Sequence, residues 1–340
     1  MRISLLGMLL GIISLWAVAQ TPLNDQVPDE YVVKRGDTLW DISGVFLRQP
    51  WMWPEIWHVN PQISNPHLIY PGDVIRLIYV DGQPRLTVNR GRDVHLSPQI
   101  REMAHADAIP AIPAIPLDVI NNFLSRTRVV ELGELEAAPY VLAGTDRRIL
   151  TGMGDDLYAR GELPDGIAAF GLYRQGDNYV DPDSGELLGI QAEDVGTARI
   201  KAVEGEIATL GASRSTREIR PGDRLLPHEE RRIAANFYPS SPLIDLEGQI
   251  IGVEGGVSQV GRLSVVALNR GARDGLIEGN VLAIYKRGES IVDRVKQERV
   301  TLPAERAGVL MVFRTFEKMS FALVMEADRS LSVGDLLRMP

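Results

Sequence analysis

The sequence predicts an α+β chain: a small βααβ unit near the N-terminus, a proline-rich linker, and then mainly β tandem modules forming a small barrel or sandwich. Three observations carry this reading. A strand–helix–helix–strand pattern closes within about 50 residues, from Tyr31 to Tyr79. Proline recurs at every third position through Ile109-Pro110-Ala111-Ile112-Pro113-Ala114-Ile115-Pro116. Beyond residue 140, short β-branched runs alternate with Gly-Asp turns, and the whole pattern occurs twice.

Composition sets the outer limits. The chain has 340 residues, 45% apolar and 24% charged, which suits about two domains and excludes a disordered or collagen-like chain. It has no cysteine, which removes disulfides, thiolate metal sites, iron–sulfur clusters and cysteine nucleophiles together. A formal charge of −9 offers no basic footprint for nucleic acid. Four of the five tryptophans, Trp40, Trp51, Trp53 and Trp57, fall within 18 residues.

The first element is an address. Arg2 precedes an apolar run from Ile3 to Val18 that closes on Ala17-Val18-Ala19. Small residues at −3 and −1 suit signal peptidase, so residues 1–19 are expected to be a secretory signal cut after Ala19. The alternative is an uncleaved anchor, since about 17 apolar residues reach the lower edge of a spanning helix. Once cleaved, the chain is expected to be exported, with no further transmembrane segment. Residues 20–30 form a short acidic, Pro-containing leader.

Residues 31–80 make the βααβ unit. Tyr31-Val32-Val33 is a short strand and Lys34-Arg35-Gly36-Asp37 a turn. Thr38, with Asp41 three residues later, predicts a capping box. Leu39, Ile42 and Phe46 then follow at helical spacing. A second helix is expected from Pro54, because a first-turn proline has no N–H to leave unpaired. Ile56 and Val59 supply its apolar face, and Asn60-Pro61 stops it. Pro71-Gly72-Asp73 turns into a closing strand, Val74 to Tyr79.

Residues 81–116 read as a linker. Its proline repeat suits a stiff polyproline II strut, or an extended strand packed along a domain, because its isoleucines repeat on one face. Residues 117–139 hold one short helix, Leu117 to Arg126, and a connector. The tandem modules span 140–229 and 250–340. Leu172-Tyr173-Arg174-Gln175-Gly176 matches Ile284-Tyr285-Lys286-Arg287-Gly288, and Val195-Gly196 matches Ala307-Gly308, 23 residues on from each tyrosine. Gly222-Asp223-Arg224-Leu225-Leu226 matches Gly334-Asp335-Leu336-Leu337, 26 residues after each of those glycines. Three anchors at equal spacing identify two copies of one module. Strands are expected at Ile200–Val203, Ile207–Leu210, Ser264–Leu268, Val281–Tyr285, Gly308–Phe313 and Phe321–Met325.

The N-terminal unit resembles a LysM domain. Tyr31-Val32-Val33, Gly36-Asp37-Thr38-Leu39-Trp40-Asp41-Ile42, Asn60-Pro61 and Pro71-Gly72-Asp73 carry the resemblance. It implies a glycan-binding module for N-acetylglucosamine-containing polymers, here peptidoglycan. The implied groove has Gly36, Asp37, Thr38 and Leu39 on one wall, and Ile69, Tyr70 and Pro71 on the other. Between the helices, Gln49-Pro50-Trp51-Met52-Trp53-Pro54 departs from the pattern by added length and two tryptophans. Residues 31–80 carry four basic and four acidic side chains, consistent with a neutral ligand. Trp40 and Trp57 are expected in the core, whereas Trp51 and Trp53 are candidates for core, glycan contact or partner contact.

An attached hydrolase is the natural alternative, and the residues argue against it. The five histidines, His58, His67, His95, His105 and His228, are never closer than nine residues, unlike a zinc ligand set. Gly256-Val257-Ser258-Gln259-Val260 lacks the second glycine of a nucleophile elbow. Gly288-Glu289-Ser290 sits at a turn in a β-rich repeat, and Glu229-Glu230 reads as a solvated charge run. No catalytic residue, metal or cofactor is therefore expected.

The full architecture is similar to the type IV pilus secretin-associated protein family (TsaP), and its C-terminal region resembles the C-terminal domain of a flagellar assembly protein. Leu268-Asn269-Arg270-Gly271 with Asp274-Gly275-Leu276, Val281 to Tyr285, Ala307 to Arg314 and Gly334-Asp335-Leu336-Leu337 carry that likeness. It implies a non-catalytic periplasmic adaptor that anchors an outer-membrane secretin to the cell wall. A LysM envelope protein with another partner is the competing expectation, and a wall hydrolase a further one.

Overall fold

In the computed structural model, the described residues are 23–57, 69–89, 112–124, 127–131, 133–164, 166–227, 237–254 and 260–340. The expected signal peptide, all five histidines and the Asn60-Pro61 stop lie outside them. Among the described residues the chain is mostly β with few helices, and none of the helices is long and apolar enough to cross a membrane.

The N-terminal unit contains strand β1 (Glu30–Val32), helix α1 (Leu39–Phe46), a 3-10 turn at Pro50–Met52, and helix α2 (Trp53–Ile56). Strands β2 (Val74–Val80) and β3 (Gln83–Asn89) complete it. Thr38 caps α1 with the expected capping box to Asp41. Helix α2 begins one residue earlier than expected, because the 3-10 turn feeds directly into it. β1 pairs antiparallel with β2, and β2 with β3, giving a three-stranded sheet. β3 corrects the linker boundary. Asp81 and Gly82 both take positive φ, 52° and 77°, the two-residue turn that favours Asp-Gly and returns the chain as a hairpin. The described end of the expected linker, 112–116, is no free strut either: Ile112, Ala114 and Ile115 are buried.

Helix α3 (Leu117–Leu124), strand β4 (Thr127–Val130) and helix α4 (Glu134–Ala137) lead into the first module. Its strands are β5 (Tyr140–Gly144), β6 (Asp156–Arg160), β7 (Ala169–Val180), β8 (Leu187–Glu204), β9 (Ile207–Ser215) and β10 (Arg224–Pro227). They pair in the ring β5-β6-β9-β8-β7-β10 and back to β5, with β4 added along β8. The second module has β11 (Gly248–Val253), β12 (Val265–Leu268), β13 (Val281–Lys286), a side hairpin of β14 (Ser290–Val292) and β15 (Arg299–Thr301), then β16 (Glu305–Thr315), β17 (Ser320–Ala327) and β18 (Leu336–Arg338). It closes as a barrel in the order β11-β12-β17-β16-β13-β18. Strand for strand the two rings have one topology, and the choice between barrel and sandwich falls to the barrel.

The repeated glycines mark one irregularity in both rings. Leu172 faces Gly196 and Ile284 faces Gly308, and a bulge follows immediately in each strand pair. A Cβ on Gly196 would lie 2.3 Å from the Arg214 carbonyl oxygen, and one on Gly308 2.3 Å from that of Glu326. Only glycine permits that backbone approach.

Each barrel has an apolar interior: Val141, Leu157, Phe170, Leu172 and Val195 in the first, and Ile250, Val266, Leu282, Leu310 and Val324 in the second. A further core lies outside the second barrel. Val265, Met311, Phe313, Phe321 and Leu323 face outward there and are covered by Ile120 and Phe123 of α3 and by Trp40 of α1. Burial on both faces explains why β17 reads as an unbroken apolar run rather than an alternating one. The β7–β8 turn of the first barrel docks on the second: Gln249 Nε2 donates to Asp183, Asn269 Nδ2 to Asp181, and Arg273 to Glu186.

Candidate glycan-binding groove

The groove expected from the sequence is built from two turns tied to one strand end. On one side Gly36 takes φ +94°, so the chain reverses between β1 and α1. Asp37 holds the turn, its carboxylate accepting from Lys34 N–H at 2.8 Å and from the Tyr31 hydroxyl at 2.9 Å. Partial burial, then the hydrogen bond and charge of Asp37, push the Tyr31 phenol up to about 12, so it stays neutral through the physiological range. Opposite, Tyr70 N–H donates to Asp73 Oδ2 at 3.0 Å. Gly72 N–H donates to the Val33 carbonyl at 2.8 Å, and Val33 N–H to the Asp73 carbonyl at 2.9 Å. Val33 thus fastens both walls to the same point.

The predicted site residues divide by exposure. Thr38, Leu39 and Ile69 are buried, Asp37, Tyr70 and Pro71 half-buried, and Gly36 exposed. The last four form a rim whose charge is confined to Asp37. Leu39 and Ile69, with the neighbouring Trp40, face a segment that sequence reasoning did not assign to the site. Leu39 N–H donates to the Pro113 carbonyl at 3.0 Å, Trp40 N–H to the Ala114 carbonyl at 3.2 Å, and Ile112 N–H to the Ile69 carbonyl at 2.8 Å. The Leu39 and Trp40 donors belong to the first turn of α1, where backbone N–H groups have no partner within the helix. Asp41 N–H is taken by Thr38 Oγ1 at 3.1 Å. The Ile-Pro-Ala repeat was the available signal, through its one-sided isoleucines.

The tryptophans are engaged in packing. Trp53 is buried in the core of the N-terminal unit, edge-on to Trp57 at 6.5 Å and tilted against Tyr238 at 6.1 Å. Trp51 packs, half-buried, against the core outside the second barrel. Trp40 is 2% exposed in that same core rather than in that of its own unit, and it donates a hydrogen bond to Glu326. Asp41 accepts from Arg262 beside it. The aromatic cluster joins the N-terminal unit to the second barrel.

Among the described residues, no group of three or more His, Asp or Glu side chains is placed to hold a metal ion. Chemically the groove offers backbone donors and acceptors, one carboxylate on its rim and apolar walls. This is equipment for gripping an amide-bearing neutral ligand.

Comparison with known proteins agrees with this geometry. Residues 31–77 match the LysM domain family: the chain carries a LysM domain, and LysM domains bind N-acetylglucosamine-containing glycans. The uncharacterized protein YqbP of Bacillus subtilis (strain 168) is 38% identical over 60 residues. The match takes in 15% of this chain, which spans about a quarter, 27%, of that relative's length.

Proposed function

We propose that the protein is a non-catalytic adaptor of the periplasm, which holds peptidoglycan through its LysM domain and an outer-membrane secretin of a type IV pilus machine through its barrels. The LysM domain at residues 31–77 carries the glycan half of this reading. The secretin half is supported by the tandem architecture and by an apolar loop between β5 and β6, in which Ile149, Leu150 and Met153 are exposed. Such a patch suits a protein partner. One shallow groove binds weakly, but copies arrayed around a symmetric pore make later contacts intramolecular and raise avidity by about 10² to 10⁴.

Sedimentation with purified sacculi, and crosslinking in intact envelopes, test the two halves. The protein is expected in the sacculus pellet, with no soluble wall fragments released, and crosslinked to a secretin. Release of fragments overturns the non-catalytic assignment, and crosslinks that reach only other proteins overturn the secretin. If neither the protein nor its Ala114→Glu variant, in which the segment across the groove is displaced, stays with sacculi, the glycan half falls.

A further inference from the structure

We propose that residues 112–114 are a built-in competitor for the glycan: they occupy the LysM groove in the free protein, and a sugar enters only by displacing them. This inference rests on the glycan-binding reading above and concerns the regulation of that same site. The segment reaches both walls, with two hydrogen bonds to the first turn of α1 and one to Ile69. An N-acetyl substituent presents an amide N–H, a carbonyl oxygen and a methyl group. The segment presents the Ile112 N–H, the carbonyls of Pro113 and Ala114, and the Ala114 methyl, which is 0% exposed in the core that holds Leu39 and Ile69. The chemistry is the same, so one set of partners serves either the peptide or the sugar. Pro113 keeps the segment extended by restricting φ, which lowers the entropy lost on seating it.

Position makes this more than a local plug. Ile112 and Ala114 belong to the LysM core, whereas the next residue, Ile115, belongs with Trp40 to the core outside the second barrel. Lifting the segment from the groove therefore pulls on the residues that join the LysM domain to that barrel. Glycan capture and release of the domain from the barrel become one event. If the open state is a minor population, apparent affinity is reduced by that fraction.

The test uses the full chain and a soluble N-acetylglucosamine pentamer. Calorimetry compares the protein with Ala114→Glu, whose side chain has no room in the groove, and with Ile112→Ser, which removes the apolar anchor while leaving the backbone intact. Hydrogen exchange at Leu39, Trp40 and Ile112 reports the segment itself. We expect all three amides to be protected in the free protein, the pentamer to bring Ile112 into exchange, and both variants to bind about tenfold tighter. Thermal melts confirm that each variant is folded; Ile112→Ser decides the matter if Ala114→Glu is not. Equal, measurable affinities for protein and variants overturn the inference alone, as does pentamer binding that leaves Ile112 protected. Failure of every folded form to bind overturns the glycan reading and the inference with it.

Discussion

Glu326 shows how one side chain sets the balance at the junction. It lies on β17, where burial, as the largest effect, raises its carboxyl above the ordinary glutamate value, while the Trp40 hydrogen bond works in the opposite direction. A carboxyl raised by folding favours the folded state in its neutral form. Its contribution is complete below the ordinary value of 4.5 and is lost as pH rises through the folded value. Glu326→Gln keeps an acceptor for the indole and removes the charge. The variant is expected to melt at a higher temperature than the parent at pH 7, with the difference closing as pH falls below 4.5. A gap that is constant across that range would assign the effect to packing instead.

One turn recurs at the scale of elements. Pro71-Gly72-Asp73, Pro221-Gly222-Asp223 and Val333-Gly334-Asp335 each put glycine at positive φ, 97°, 94° and 92°. In each, the aspartate carboxylate accepts the backbone N–H three residues back, from Tyr70, Arg220 and Ser332. In the barrels the same carboxylates also hold a cation from the neighbouring strand, Arg174 at 2.8 Å and Lys286 at 3.0 Å. Asp223 and Asp335 are 3% and 4% exposed. Removing one partner of a buried pair is costly because the other polar groups stay behind. Asp335→Ala is expected to destabilise by about 3 kcal/mol in denaturant unfolding, and Asp223→Ala by a similar amount. Lys286→Met leaves the Asp335 carboxylate buried without its cation and is expected to destabilise by a comparable amount.

Across the whole molecule, the core outside the second barrel ties three parts of the chain together. Phe321 sits at its centre, 4.7 Å from the ring of Phe123 and 5.9 Å from that of Tyr179, and Trp40 closes the cluster from the LysM side. Heat-induced unfolding of the LysM domain and the second barrel should accordingly coincide in the parent protein. Phe321→Ala is expected to cost about 3–5 kcal/mol and to split the calorimetric transition, with the LysM domain separating. A variant that loses stability but keeps a single transition would show that the domain is held elsewhere, by the 112–114 segment above all.

Local signals were strong enough to be read directly. Thr38 and Asp41 determined the start of α1, Pro71-Gly72-Asp73 the turn into β2, and the paired anchors Tyr173 with Gly196 and Tyr285 with Gly308 the duplication, because capping, positive φ and bulges depend on residues close in the chain. Asp81-Gly82 was equally legible as a hairpin turn, although the proline-rich stretch beyond it invited a linker. Hydrophobic residues named themselves as core without naming which core. Trp40, a helical neighbour of Leu39 and Phe46, packs outside a barrel strand numbered almost 300 residues later. The sequence alone determined a LysM domain followed by two copies of a β module, since those patterns are local or periodic. Tertiary structure alone decided that Ile112, Pro113 and Ala114 lie across the groove, because a backbone hydrogen bond between distant segments leaves no mark on residue type.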